Sequence, residues 1–291
     1  MHPASVLSQP VGPITGLGLF TGVASSIVIH PGMGDGLIRF ASPDGSALTP
    51  ALASHLTGYV APHVAGPSAG LPIRNTTLQS PDGSRTYATI EHLMAALTGL
   101  GILEATIVLD GPEVPILDGS ALPFVEALLP HLVPASHPFR PMILNDDLTV
   151  HEHGASISAH VSDTRSRTYH LDYGPNSPLK SHAATWDGSI EKFISDIAPA
   201  RTFSLRSEAE AARASGLFAA FSPRDLPVVA DDGSLIDNAW RFPGEAAAHK
   251  LLDLIGDLAL VGRPIVADIT ASKSGHALAG RFAAAVSGRT A

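Results

Sequence analysis

Phe242-Pro-Gly-Glu-Ala-Ala-Ala-His-Lys-Leu-Leu-Asp-Leu-Ile-Gly-Asp-Leu-Ala-Leu-Val-Gly262 is the stretch on which the fold turns. Its apolar residues recur at helical spacing, and Pro243 suits a first helical turn. Gly262, with Pro264 just beyond, stops the run near Leu260. The spacing predicts a long helix. Residues 265–271 then read as a strand, Ser272-Lys-Ser-Gly-His276 as a turn, and the remainder as a final helix. Working back from there, helices are expected near 187–196 and at 207–215, strands within 141–160 and at 168–173, and irregular chain at 218–240. Toward the N-terminus, 11–40 reads as strand, Gly-rich turn and strand, and 88–99 as a helix capped by Thr89. A strand at 104–110 and a second helix at 121–132 follow. The stretch 53–74, rich in Gly, Pro and Ala, reads as an irregular insertion. A Pro-rich joint at 133–141 divides the chain into 1–134 and 135–291. Each half mixes strands with about two helices, which suits two α+β layers better than a doubly wound parallel sheet.

The length of 291 residues fits about two domains or one large one. Cysteine is absent, which excludes a disulfide framework, an iron–sulfur cluster, a Cys-ligated zinc and a cysteine nucleophile. No run of about 18 apolar residues occurs, so no membrane span is expected. The opening Met-His-Pro-Ala-Ser has no basic region leading into an apolar one, and no secretory signal is expected. A net charge of −9 makes nucleic acid a poor default partner, although a local basic pocket could still hold a phosphate. The expectation is a soluble, cytoplasmic protein.

Three groups of residues could carry chemistry. On the long helix, His249, Asp253 and Asp257 recur every four residues and share one stripe among leucines. A buried Asp beside a His needs a partner, and a divalent metal is one; a helix with a polar edge is the alternative. Gly256, which costs about 1 kcal/mol relative to Ala in a helix interior, suggests that something approaches the backbone there. Glu91 and His92 open the earlier helix, where zinc chemistry can use a His ligand beside a carboxylate base, and where a first-turn Glu also suits the helix dipole. His276, on a Gly-containing turn, is a candidate acid or base or merely an exposed histidine. His151 and His153 have metal-ligand spacing in a polar, surface-like setting and are set aside. Gly16-Leu-Gly-Leu-Phe-Thr-Gly22 looks like a phosphate loop, but its spacing is wrong for a dinucleotide fingerprint and a strand follows it. H-E-x-x-H and P-loop motifs are absent, and no nucleophile elbow is expected.

Together these segments resemble the zinc-dependent UDP-3-O-acyl-N-acetylglucosamine deacetylases of lipid A biosynthesis, the LpxC family. The resemblance rests on Gly16–Gly22, Arg74-Asn-Thr-Thr-Leu78, Thr89-Ile-Glu-His92, Pro112-Glu-Val-Pro-Ile-Leu-Asp-Gly-Ser120, Ala200-Arg-Thr-Phe203, Arg241-Phe242, the HKxxDxxGD helix and Lys273-Ser-Gly-His-Ala-Leu278, all in family order. It implies an α+β fold of two β-α-α-β domains, their helices sandwiched between two sheets, with one insertion each, the second spanning about 202–229. It implies His92, His249 and Asp253 as zinc ligands; iron could replace zinc in such a site. Glu91 would be the general base, Thr202 an oxyanion donor and His276 a charged proton donor held by Asp257. Lys250 would face the nucleotide diphosphate, and Leu19, Phe20 and Phe203 would border the substrate. The implied partner is a UDP-linked acylated amino sugar, with no nucleic acid and no transmembrane segment. Peripheral contact with the inner membrane through the amphiphilic substrate stays open, and a monomer is expected.

The chain also departs from the family pattern. Phe20 stands where the family carries His, Ala220-Phe-Ser-Pro-Arg-Asp-Leu-Pro-Val228 replaces a Gly-Gly-Ser stretch, and Pro243-Gly-Glu245 reduces an acidic pair. These departures imply a reshaped acyl passage. Two alternatives accompany the deacetylase reading: a relative acting on a different acylated amino sugar, and a non-catalytic homologue that binds zinc or a sugar nucleotide.

Overall fold

The computed structural model describes residues 4–57, 74–136 and 139–289. Helix α1 spans Glu91–Gly99, α2 Leu122–Leu128 and α3 Ile190–Lys192, which runs on into a π-helical turn at Phe193–Ile197. Helix α4 spans Arg206–Ala214, α5 Glu245–Leu258 and α6 His276–Ser287. Two five-stranded sheets accompany them, so helix and sheet mix throughout an α+β chain.

One sheet runs, edge to edge, Val11–Leu17, Ala24–Pro31, Ala105–Asp110, Ile38–Ala41 and Thr49–Pro50. The other runs Leu148–Glu152, Ala155–His160, Asp268–Ser272, Arg167–Leu171 and His182–Trp186. In both, the strand that comes last in sequence inserts between the second and third. It lies antiparallel to the second and parallel to the third. Alternation fixes which face is inside: Ile27 and Ile29 pair with Leu109 and Ile107, and all four are fully buried.

Two helices are buried almost all round. In α1 only Thr98 escapes full burial, and in α5 only Lys250 does. A helix apolar on every side belongs in an interior. Helix α5 packs on α1, on α6 and on the strands Arg167–Leu171 and His182–Trp186. Gly256 is what lets α5 and α1 touch, because a Cβ there would collide with the backbone carbonyl of Glu91. The close approach expected from that glycine is therefore made by the residue beside His92.

Several element boundaries differ from the sequence reading. Thr89 does not cap α1: it sits at φ 56, and Ile90 occupies the cap position with no side-chain hydrogen bond. The Thr89 hydroxyl is engaged elsewhere, donating to Glu113 at 2.6 Å. Pro243 precedes α5 rather than entering its first turn, because Gly244 takes the cap position in the left-handed region at φ 83. The helix expected at 121–132 stops at Leu128 and continues as a 3-10 turn and a short strand, Leu132–Pro134. The strand expected at 265–271 is two, Ile265–Val266 and Asp268–Ser272. His182–Trp186 is a strand that the sequence reading does not contain.

The insertion read at 53–74 falls largely on 58–73, outside the described residues. Within the second expected insertion, Ser204–Leu205 pairs in parallel with Val228–Val229, and α4 lies between them in sequence. Among the described residues, no helix is long and apolar enough to cross a membrane.

Candidate metal centre

The close α1–α5 packing brings His92 from one half of the chain against His249 and Asp253 from the other. Their potential ligand atoms all lie within 4.8 Å of one another. Asp253 Oδ1 is 3.5 Å from His92 Nε2 and 3.3 Å from His249 Nε2. The two imidazoles meet edge to face at 4.9 Å between ring centres. All three residues are buried.

The hydrogen bonds around the triad select its protonation state. His249 Nδ1 lies 3.2 Å from the Ala200 carbonyl, so it carries the proton and leaves the Nε2 lone pair facing Asp253. Burial pushes the His249 imidazole down to about 3, which keeps it in the neutral, ligating form. Burial disfavours the Asp253 charge, but His249 and Lys250 hold its carboxyl well below the usual range. Lys250 Nζ donates to Asp253 Oδ2 at 2.7 Å. Asp253 Oδ1 is then buried with no hydrogen-bond partner among the described residues. An orphaned carboxylate oxygen beside two imidazole nitrogens, with the His249 lone pair facing it, is costly unless a cation joins them. A His₂Asp set with one open side fits a divalent metal. His151 and His153 belong to no such cluster among the described residues.

Two acid–base groups flank the triad. Glu91 is buried and accepts from the Thr76 amide at 3.0 Å. Burial raises its carboxyl to about 7, against the opposing charge of His276 and His92. On the other side, His276 Nδ1 lies 2.9 Å from Asp257 Oδ2. Burial alone would lower the imidazole, but Asp257 and then Glu91 carry it up to about 9. Thr76 also donates its hydroxyl to Asp257 Oδ1 at 2.5 Å, so one residue steadies both flanking groups. No periodicity marks Thr76; its only signal was membership of the polar run Arg74-Asn-Thr-Thr, and the sequence reading gave it no role.

A cavity of about 580 Å³ gathers the predicted residues. Glu91, His92, His249, Lys250, Asp253, His276, Thr202, Leu19, Phe20 and Phe203 all line it. Asp257 does not, and acts from behind His276. Thr202 is held by its amide, which donates to the Gly119 carbonyl at 2.7 Å. Arg74, Tyr169, Tyr173 and Lys273 line the same cavity and were not singled out from sequence. A second cavity, of about 240 Å³, shares Leu19, Thr202, Phe203, Ser204 and Phe218 with the first and continues past Phe221 and Ile236. Phe20 packs on Phe218 at 5.2 Å, near where the two adjoin.

The glycine-rich loop at 16–22 is an anion cradle whose anion is internal. Glu113 is fully buried and accepts from the amides of Phe20 and Thr21, from the Thr21 hydroxyl and from Thr89. At Gly18 a Cβ would meet the Glu113 carboxylate. The loop thereby fixes Leu19 and Phe20 at the cavity wall.

A family model described as UDP-3-O-acyl N-acetylglycosamine deacetylase (LpxC) matches residues 6–287. A Citrifermentans bemidjiense protein named UDP-3-O-acyl-N-acetylglucosamine deacetylase is 34% identical over 267 residues, which are 91% of this chain and 82% of that protein. A Leptospira biflexa protein of the same name is 38% identical over 208 residues, 70% of this chain and 67% of that protein. One from Synechocystis is 38% identical over 196 residues, 66% of this chain and 70% of that protein. With a match that runs through both sheets and every residue of the triad, the chain belongs to the LpxC family.

Proposed function

We propose that the protein is a zinc-dependent deacetylase that removes acetate from a UDP-3-O-acyl-N-acetylglucosamine in lipid A biosynthesis. The observation that carries this reading is the orphaned Asp253 Oδ1 between two imidazole nitrogens, flanked on one cavity by a buried carboxylate and a charged imidazole. Zinc held by His92, His249 and Asp253 would polarise the acetamide carbonyl and acidify water. Glu91 takes the proton from the attacking water. The Thr202 hydroxyl donates to the oxyanion that develops on the former carbonyl. His276 gives a proton to the departing amine nitrogen, and Asp257 keeps it charged until then. The C–N bond breaks, acetate leaves, and the amino sugar retains its other acyl group.

The wider cavity supports the substrate class. Lys250, Lys273 and Arg74 line it, each paired with a carboxylate of the same wall (Asp253, Asp172 and Glu208), and on this reading a diphosphate would compete with those carboxylates for the cations. The adjoining apolar cavity suits an acyl chain. Phe20 against Phe218 puts an aromatic wall near where the two cavities adjoin, and on this reading that wall limits the length or branching of the acyl group. On the same reading the chain is two β-α-α-β domains divided near residue 135, each with one insertion. The identical strand order of the two sheets supports this.

The test is a deacetylation assay on purified protein before and after chelation, with zinc and iron added back separately. Chelation is expected to abolish acetate release and zinc to restore it. Zinc-loaded protein that binds the ion but releases no acetate from any acetylated amino sugar would overturn the reading in favour of a binding protein.

A further inference from the structure

At the other end of the α1–α5 pair lies a third cavity, of about 100 Å³, lined by the last turn of α1 and by Ile255 and Leu258 of α5. Among the described residues, its only charged lining residues are Arg165, Arg167 and Arg263. Arg167 is buried at the head of its strand. It donates to the Ala267 and Ile265 carbonyls, each at 2.7 Å, and to the Ser166 carbonyl at 2.9 Å, and among the described residues to no carboxylate. Arg165 is half-buried, and neither it nor the exposed Arg263 has a hydrogen bond or ion pair among the described residues.

This is an unusual arrangement for an acidic chain. A buried guanidinium is normally matched by a carboxylate, because taking it from water costs several kcal/mol. Elsewhere in this molecule the rule holds: buried Arg201 is paired with Glu245 at 2.7 Å. Around the small cavity burial instead pushes Arg167 down to about 9, Arg165 adds to the effect, and Asp268 opposes it. Burial lowers Arg165 as well. Two like charges, one buried and one half-buried, thus line a cavity with no carboxylate among its described lining residues, and what Arg167 meets directly is backbone carbonyl oxygen.

We infer that Arg165, Arg167 and Arg263 form a binding site for one small tetrahedral oxyanion, a phosphate or a phosphomonoester head group, separate from the metal-centre cavity. Guanidinium groups present paired N–H donors that match phosphate oxygens. The space is well below the roughly 300 Å³ at which pockets begin to take whole cofactors or nucleotides. An anion there would join the strand pair at 167 and 268 to the chain just after α5. This inference does not rest on the deacetylase reading.

Calorimetric titration of the metal-loaded protein with inorganic phosphate, at ionic strength held constant with chloride, tests it. Saturable binding is expected, weakened at least about tenfold in Arg165→Gln and in Arg263→Gln. Both variants are expected to keep wild-type melting temperature in chloride and wild-type deacetylation rate, because neither residue touches the metal centre. Glycerol 3-phosphate is titrated in parallel. Equal binding assigns the site to a monoester head, and phosphate binding alone assigns it to the free ion. Phosphate binding that is absent at about 10 mM, or that survives unchanged in both variants, overturns the proposal.

Discussion

The Glu91 carboxylate and the His276 imidazole are held in opposite directions by their surroundings, and each direction has a consequence for pH. Burial raises Glu91 to about 7, so its basic form is gained as pH climbs through that value. Asp257 keeps His276 protonated up to about 9, so its acidic form is lost as pH climbs through that one. The kcat/KM profile should therefore be a bell with its plateau between about 7 and 9, its limbs belonging to the coupled pair rather than to either residue alone. Asp257→Asn should move the alkaline limb to lower pH. A profile with an unmoved limb would remove Asp257 from this role. Glu91→Gln and His276→Ala should each lower kcat by about 10²–10⁴ while bound metal, counted by atomic emission, stays at wild-type level. Away from the chemistry, Glu245 accepts from the Arg201 side chain and amide and from the Arg241 amide, with no exposure to solvent. Glu245→Ala leaves Arg201 buried without its counter-charge, and should cost about 3–5 kcal/mol in urea unfolding.

At the scale of elements, the decisive contact is the one between α1 and α5. Replacing a helical glycine by alanine ordinarily gains about 1 kcal/mol. At Gly256 the new methyl would meet the Glu91 carbonyl, and the two helices would have to part. Gly256→Ala should lower stability despite its better propensity, and should weaken zinc binding at least about tenfold because His92 rides on the displaced helix. Calorimetric zinc titration distinguishes this from a loss of catalysis alone. The polar stripe on α5 and the Glu-His start of α1 were legible because 3.6-residue periodicity turns spacing into geometry. The π-helical turn at Phe193–Ile197 and the edge strand His182–Trp186 were not, since what holds them is packing against α5 rather than any local pattern. Thr89 illustrates the same limit. Its residue type signals a cap, but a carboxylate remote in sequence, Glu113, competes for its hydroxyl and wins.

Across the whole molecule, the triad joins residues from both halves of the chain. A ligand that binds only the folded state stabilises it by mass action, about 4 kcal/mol at a thousandfold excess over Kd. Chelation should therefore lower the melting temperature, and His92→Ala should melt at the same temperature with and without zinc. Most of the candidate site could be read before any coordinates, because its side chains fall in short motifs. The partners that orient it could not, because Ala200, Thr76 and Glu113 reach it only through tertiary folding. The separation of His92 from His249 along the sequence has one more effect. While the chain is still emerging from the ribosome, α1 is complete long before α5 exists, and a lone imidazole is a poor trap for an ion. Capture of a divalent ion by the triad must then wait until α5 has been made, and products terminated before His249 will lack two of its three side chains.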